Sequence, residues 1–549
     1  MYQYYYIVSM QANILFYALC TLSPYQLQVN MMVYQKIDKV SYMWYTVQTG
    51  DSLFSIAQRF GISARQLATA NKIEEGEDLT PGQRLFIPIQ VSKVITYTVE
   101  PGDSLYTIAR RYNTLTESIM VLNGLQSTAI YAGQRLIIPQ YTQAIVNVGR
   151  ANIRSGPGTN YNIVQSVVSG AKLPVTETSR DWLRISLHNG NPGWVSRNLT
   201  NFRTYDGSRP ILNIVGFYTL EEGPALPSSF RSFADNTSNL TEVPLFLYRF
   251  DRDDPTSIEK FGEFTDNDIE ILVSVAHRNN IMIIPVVHNL LYESGGQEAS
   301  RAVVRDMVAT QQTRSTAIAN IIALIERYGF DGVNIDIEDV YLEDSSRLSQ
   351  FYTELGNALH ARGYFLSASV PARIRDYPPF NPFSDPFDYG AIGSAVDQFI
   401  VMLYNEHGWP GSGPGPVVSS GWMNKVIGYT LTKMPASKVV AAISVFGFDF
   451  NLTTGRNTYV TYELAAELAS RYNAEIVFDQ DTLTPTFSYT DEEGNTHEVW
   501  FENSESGIAK MRLAWQQGIS GIALWRLGME DPGLWSRVES EIVVRRIVY

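Results

Sequence analysis

The sequence predicts a multidomain chain in which a (β/α)8 TIM barrel follows two small α/β modules and a small all-β barrel. Three observations carry this. A stretch of about 45 residues occurs twice early in the chain, as internal repeats do. Short alternating runs cut by Gly, Pro and Asn follow, the pattern of a small β barrel. From residue 211 onward, eight β-like runs alternate with helical patterns, the order of a parallel sheet closed on itself. At 549 residues the chain is too long for one hydrophobic core, so several domains are expected.

Composition narrows the function before any motif is read. Apolar residues make up 45% and charged residues 18%, an ordinary globular balance without signs of disorder. The net charge is −14 and no Lys/Arg-rich run occurs, which argues against a nucleic-acid partner. A neutral polysaccharide fits better, and the 12% aromatic content suits rings that stack on sugars. The single cysteine, Cys20, allows no intrachain disulfide. Residues 1–44 form an N-terminal extension. Its apolar run "YYYIVSMQANILFYALCTL" lacks the basic flank of a secretory signal, because the first basic residue is Lys36. It is also too short and polar to span a membrane. The expectation is a start placed too early, with Met43 as the true start, and a weak signal or anchor is the alternative. No lipid membrane partner is expected, and the chain is expected to act as a monomer.

The repeats come first in chain order. "YTVQTGDSLFSIAQRFGI" begins at Tyr45 and "YTVEPGDSLYTIARRYNT" at Tyr97, giving modules over 45–89 and 97–140. Each reads as a strand, a turn, two short helices and a closing strand. Gly50-Asp51-Ser52 and Gly102-Asp103-Ser104 carry turn and helix-cap chemistry. Leu53, Ile56 and Ala57 have the spacing of a buried helix face. The pattern resembles the LysM module, which binds N-acetylglucosamine-containing glycans such as peptidoglycan and chitin. The resemblance implies a glycan groove lined by Gly50, Asp51, Ser52 and Asn71, and in the second copy by Gly102, Asp103, Ser104 and Asn123.

Residues 144–200 alternate apolar and polar positions between turns, as a small barrel should. "NIRSGP", Trp182 and the late "GWV" resemble the bacterial SH3-like domain, which either binds cell wall or spaces other domains. "TYDGSRP", 204–210, reads as a linker.

The barrel is expected over 211–545. Its runs are 211–218, 245–249, 281–288, 332–338, 364–370, 398–404, 439–446 and 521–527, with an inserted hairpin at "PTFSYTDEEGNTHEVWFE" before the last. Chemistry in such barrels sits at the C-terminal ends of the strands. The fourth run, "DGVNIDIE", is unusual. Strand alternation puts Asn334, Asp336 and Glu338 on one face and Val333, Ile335 and Ile337 on the other. Neighbours on one face lie ~6.6 Å apart, close enough to interact. A carboxyl group beside a carboxylate has a raised pKa, as a general acid near neutrality requires. Asp331 is out of phase and is expected to fix the start of the strand.

This run resembles the signature Asp-Gly-x-Asp-x-Asp-x-Glu of family 18 glycoside hydrolases. The resemblance implies that Glu338 is the catalytic acid/base and that Asp336 orients the substrate acetamido group. It makes Tyr404 a hydrogen-bond donor to the acetamido carbonyl and Trp525 the floor of the subsite. Tyr218 and Met402 complete the substrate-binding set. Asn334 and Asn405 stand where the family usually carries aspartates, and are placed in the substrate site with less negative charge around Asp336. The implied mechanism retains configuration and uses the substrate's own acetamido oxygen as nucleophile. No cofactor and no metal are expected; the six histidines show no metal-ligand spacing, and His288 and His407 read as structural. The whole arrangement resembles the spore cortex-lytic N-acetylglucosaminidases of endospore formers. It implies a glycosidase of peptidoglycan in the cell wall or spore envelope. Chitinase is one alternative, and a non-catalytic, lectin-like cell-wall or spore-coat protein is another.

Overall fold

A computed structural model describes residues 40–59, 64–71, 73–74, 78–90, 93–220, 228–291, 296–404, 406–409 and 411–546. The apolar run near the N-terminus lies outside the described residues. The chain divides into two compact units that part between Ser92 and Lys93.

The first unit holds repeat one. Strand Val40–Thr46 pairs antiparallel with Arg84–Gln90, and helices Leu53–Arg59 and Ala64–Asn71 lie between them in sequence. Leu53, Ile56, Ala57, Leu67, Leu85 and Ile87 form its buried core. Gly50 turns at φ +90° before the first helix, a conformation L side chains rarely adopt.

The second unit opens with repeat two: strand Ile95–Thr98, helices Leu105–Arg111 and Thr116–Leu122, and strand Arg135–Ile138. Its core is Val99, Leu105, Ile108, Ala109, Ile119 and Leu136. A seven-stranded antiparallel barrel follows, from Tyr141–Val146 to Thr200–Tyr205, around Ala144, Ile153, Leu173, Leu183, Ile185 and Val195. A buried hydrogen bond of 2.8 Å between the Ser118 and Thr142 hydroxyls ties it to repeat two.

The large barrel is built from eight parallel strands: β1 Ile211–Gly216, β2 Glu242–Phe250, β3 Met282–His288, β4 Gly332–Asp336, β5 Phe365–Pro371, β6 Gln398–Met402, β7 Val439–Ser444 and β8 Gly521–Trp525. They pair in sequence order, and β1 closes the ring between β8 and β2. Alternation sorts the side chains into two layers. Val333, Ile335 and their counterparts pack outward on the helices, while Val215, Phe217, Phe246, Val286, Ile400, Val440, Ala442 and Ala523 pack inside. The expected hairpin is present as Thr484–Thr490 and Thr496–Trp500. It belongs to a larger insertion between β7 and β8: a five-stranded antiparallel sheet with helix Tyr462–Arg471 and its own core of Val460, Ala465, Phe487, Val499 and Phe501. Among the described residues, no helix is long and apolar enough to cross a membrane.

Candidate active site

β4 carries Asn334 and Asp336 into the barrel, and the strand ends at Asp336. Glu338 therefore sits on the segment just above the strand. Its backbone N–H donates to Asn289 Oδ1 at 3.0 Å. Asn289, fully buried just past β3, donates in turn to the carbonyls of Ser300 (3.2 Å) and Asp339 (3.1 Å). One amide thus fixes the height at which Glu338 leaves the strand. Sequence reasoning missed Asn289; its signal was a polar amide closing the apolar run "IIPVVHN".

Beneath the carboxylates runs a buried chain of hydrogen bonds. Asn334 Nδ2 donates to Ser367 Oγ (2.9 Å), and Ser369 Oγ donates to Asn334 Oδ1 (3.1 Å). Ser367 Oγ donates to Gln398 Oε1 (2.8 Å), and Gln398 Nε2 donates to Glu242 Oε2 (2.8 Å). Both ends of the Asn334 amide are engaged in this floor, so it braces the strand from below. Asp336 Oδ1 is different: it is buried and has no hydrogen-bond partner among the described residues. An unpaired buried carboxylate oxygen is costly, and a group entering from the barrel mouth can satisfy it.

Burial pushes the Asp336 carboxyl up to about 7. Burial also raises Glu338, well above the usual range, and the negative charges of Asp336 and Asp339 add to it. Burial and the charges of Asp336 and Asp339 together favour the proton on Glu338. Asp339, itself raised by burial, is held by Gln297 Nε2 at 2.9 Å.

An aromatic cluster lines the same barrel interior. Trp525, at the end of β8, has its ring 5.3 Å from Phe217, 5.1 Å from Phe246 and 6.3 Å from Tyr404. Tyr404 and Trp525 are both half-buried. Met402 is buried and continues the inward row of Gln398 and Ile400. His288 pairs with Asp336 in register and stacks on Phe246 at 4.3 Å. Its Nδ1 accepts from the Leu290 N–H, and burial lowers the imidazole to about 3, so it is a neutral brace. His407 faces the carbonyls of Ser412 and Gly413, within its own loop. Asn405 lies outside the described residues.

Tyr218 does not reach this site. It is buried on the outer side of β1, edge-on to Phe233 at 6.4 Å. Alternation is the reason: Val215 and Phe217 point inward, so the residue after Phe217 points at the helices. Phe217 is the side chain that touches Trp525.

Residues 288–530 match the model of the glycosyl hydrolases family 18. The barrel is a family 18 glycosyl hydrolase domain. Residues 45–88 and 97–139 match the LysM domain, and 149–200 the bacterial SH3 domain. The chain is 27% identical over 447 residues to a cortical fragment-lytic enzyme of Bacillus anthracis, covering 80% of this chain and 96% of that protein. The spore cortex-lytic enzyme SleL of Bacillus cereus shares the fold, with a TM-score of 0.55 at 23% identity, over 92% of this chain and 99% of that one. A chitinase of Chromobacterium violaceum aligns at a TM-score of 0.53 and 27% identity, over 60% of this chain and 98% of that one.

In the LysM domains the polar residues expected to line the groove are engaged internally. Asp51 accepts from the Tyr45 hydroxyl (2.6 Å) and the Gln48 N–H (2.8 Å), and Asp103 repeats the pattern with Tyr97 and Glu100. Ser104 caps its helix in a box with Thr107, and Ser52 accepts from the Ser55 N–H. Asn71 donates to Leu67 O, while Asn123 joins its helix to the closing strand through Ile137. The glycines turn at positive φ, and the exposed rings beside these turns are Phe54 and Tyr106.

Proposed function

We propose that this glycosidase hydrolyses the β-1,4 bond following N-acetylglucosamine in peptidoglycan, with spore cortex fragments as substrate, by a retaining, substrate-assisted mechanism. The observation that carries the reading is the pair at the barrel mouth: a Glu338 that holds its proton beside an Asp336 with an open, buried oxygen. Glu338 donates its proton to the leaving glycosidic oxygen as the substrate's acetamido carbonyl oxygen attacks the anomeric carbon. Asp336 accepts from the acetamido N–H and stabilises the resulting oxazolinium, with Tyr404 on the carbonyl side and Trp525 beneath the ring. Glu338 then takes a proton from water, whose oxygen opens the oxazolinium from the same face as the departed group. A sugar without the N-acetyl group lacks the nucleophile and is not cleaved.

The cortex assignment draws on the Bacillus anthracis relative, a cortical fragment-lytic enzyme whose match covers 80% of this chain and 96% of that protein. Tandem LysM domains raise the local concentration of glycan around the cleft. They favour work at the cell wall or spore envelope, by a single chain carrying the whole site. Mass spectrometry of products from cortex peptidoglycan, vegetative peptidoglycan and chitin oligomers tests the reading, with Glu338→Gln alongside. Reducing-end N-acetylglucosamine released from cortex by the wild type, and about 10²–10⁴ less by E338Q, is the expected result. Cleavage of chitin alone would make the chain a chitinase, in line with the Chromobacterium likeness. Binding without any product would leave a lectin.

A further inference from the structure

The base of the barrel, at the end opposite Glu338, holds a buried cluster that hydrolysis does not use. Asp331 stands just before β4. Its Oδ2 accepts from the Ile283 N–H on β3 (2.8 Å) and from His277 Nε2 (3.2 Å), and its Oδ1 accepts from His188 Nδ1 (2.7 Å). His277 belongs to the helix Asp266–Arg278 of the barrel; His188 belongs to the SH3 domain, in the turn after strand Trp182–Ser186. The two imidazoles stack with centroids 3.9 Å apart and planes 9° from parallel. Gln165 of the SH3 domain completes the cluster. Its Nε2 donates to the His277 carbonyl (2.8 Å), which turns its Oε1 toward His188 Nε2 at 3.2 Å.

The hydrogens on His188 fix the state of this cluster. An amide oxygen and an ionised carboxylate only accept hydrogen bonds. Both ring nitrogens of His188 face such acceptors, so both must carry hydrogen, and the satisfied form is the imidazolium. Burial alone would push the Asp331 carboxyl up. The charge and hydrogen bond of His188, with the His277 hydrogen bond, outweigh it and hold Asp331 well below the usual carboxylate range. The carboxylate therefore stays ionised where imidazoles titrate. Other charged groups at this seam are Glu326 on the helix Gln311–Tyr328 and Arg362 after the helix Ser345–His360, with Glu242 behind Asp331 inside the barrel. A metal fits poorly. It would have to lie near the plane of each imidazole that binds it, and two parallel planes 3.9 Å apart do not meet at one point.

We propose that protonated His188 latches the SH3 domain onto the base of the barrel, and that loss of this proton loosens the seam, so that pH sets how firmly the SH3 domain is docked. The sign follows from the ion pair, which exists only while His188 is charged: the latch is firm while the proton is held and weakens as rising pH removes it. The SH3 domain is then a switched part of the barrel's underside, seated on the residue that starts the catalytic strand.

Hydrogen exchange on the full chain tests this, at about pH 5.5 and about pH 8.5, with rates corrected for intrinsic exchange. The readouts are the Ile283 amide and the segment 186–191, with β6 as an internal control. In the wild type, protection at the seam is expected to fall with rising pH, by up to roughly tenfold for each pH unit over which the proton is lost. The control is expected to hold. In His188→Gln, seam protection is expected to be low and equal at both pH values. Equal wild-type protection at the two pH values would overturn the proposal, whether or not the variant folds. So would a seam that opens with chelator and closes with zinc at constant pH.

Discussion

Asn334 shows how a single residue retunes the site. Its Nδ2 donates to Ser367 Oγ, whose own hydrogen is committed to Gln398. Restoring the family's usual aspartate with Asn334→Asp would set a carboxylate against a lone pair in a buried floor. The expected cost is about 1–3 kcal/mol in a urea unfolding titration. Asp339 acts at longer range, because its charge helps keep the proton on Glu338. kcat/KM is expected to rise as Asp336 ionises near its value of about 7, then fall at higher pH as Glu338 loses its proton. Asp339→Asn keeps the acceptor for Gln297 but removes the charge, so the alkaline limb of a pH–rate profile should move to lower pH. The inward direction of Asp336 was legible in "GVNIDIE", because a period of two needs no knowledge of the rest of the molecule. Asn289 was not, because its task is to hold a backbone 49 positions away in sequence. Tyr218 was misplaced by one step of the same alternation.

At the scale of elements, the insertion after β7 is held down by a buried ion pair. Lys510, on the helix Ser504–Gln516, bonds to Glu502 at the end of the insertion sheet and reaches Thr484 Oγ1 at 3.3 Å. Burial lowers the lysine and raises the glutamate, and each partly offsets the cost for the other. Lys510→Met strands the carboxylate and is expected to cost about 3–5 kcal/mol. The loss should be larger at alkaline pH, where Glu502 is less able to escape by taking a proton. Denaturant midpoints at two pH values would check both statements. The hairpin of this insertion was readable because it alternates over a tight turn. Its partners Gly447–Asn451 and Val477–Asp479 were not, since short antiparallel strands choose neighbours through contacts no local pattern records.

For the molecule as a whole, the order of domains was written in the repeats and punctuation, but their docking was not. The SH3 domain could be read as a spacer until the structure set His188 and Gln165 against His277 and Asp331. Global stability carries a further pH signature. Glu242 is fully buried, and burial raises it from 4.5 to about 8, so the folded chain binds this proton more tightly than the unfolded chain. Stability should therefore decline as pH climbs between those values, by at most about 1.4 kcal/mol per pH unit from this group. Glu242→Gln mimics the neutral acid and keeps an acceptor for Gln398. Its melting temperature is expected to exceed the wild type's near pH 8 and to match it in mild acid.

β1 pairs along one edge with β8 and along the other, at its first residues, with the strand Val543–Val544. On the ribosome this makes the barrel's first strand wait for its last. At roughly 5–20 residues per second, both LysM domains and the SH3 domain can fold while β1 still shows a bare, apolar edge. For much of its synthesis the nascent chain therefore resembles an open sheet with its repeats already finished, and its greatest hazard is a neighbouring nascent chain that offers a strand to that edge first.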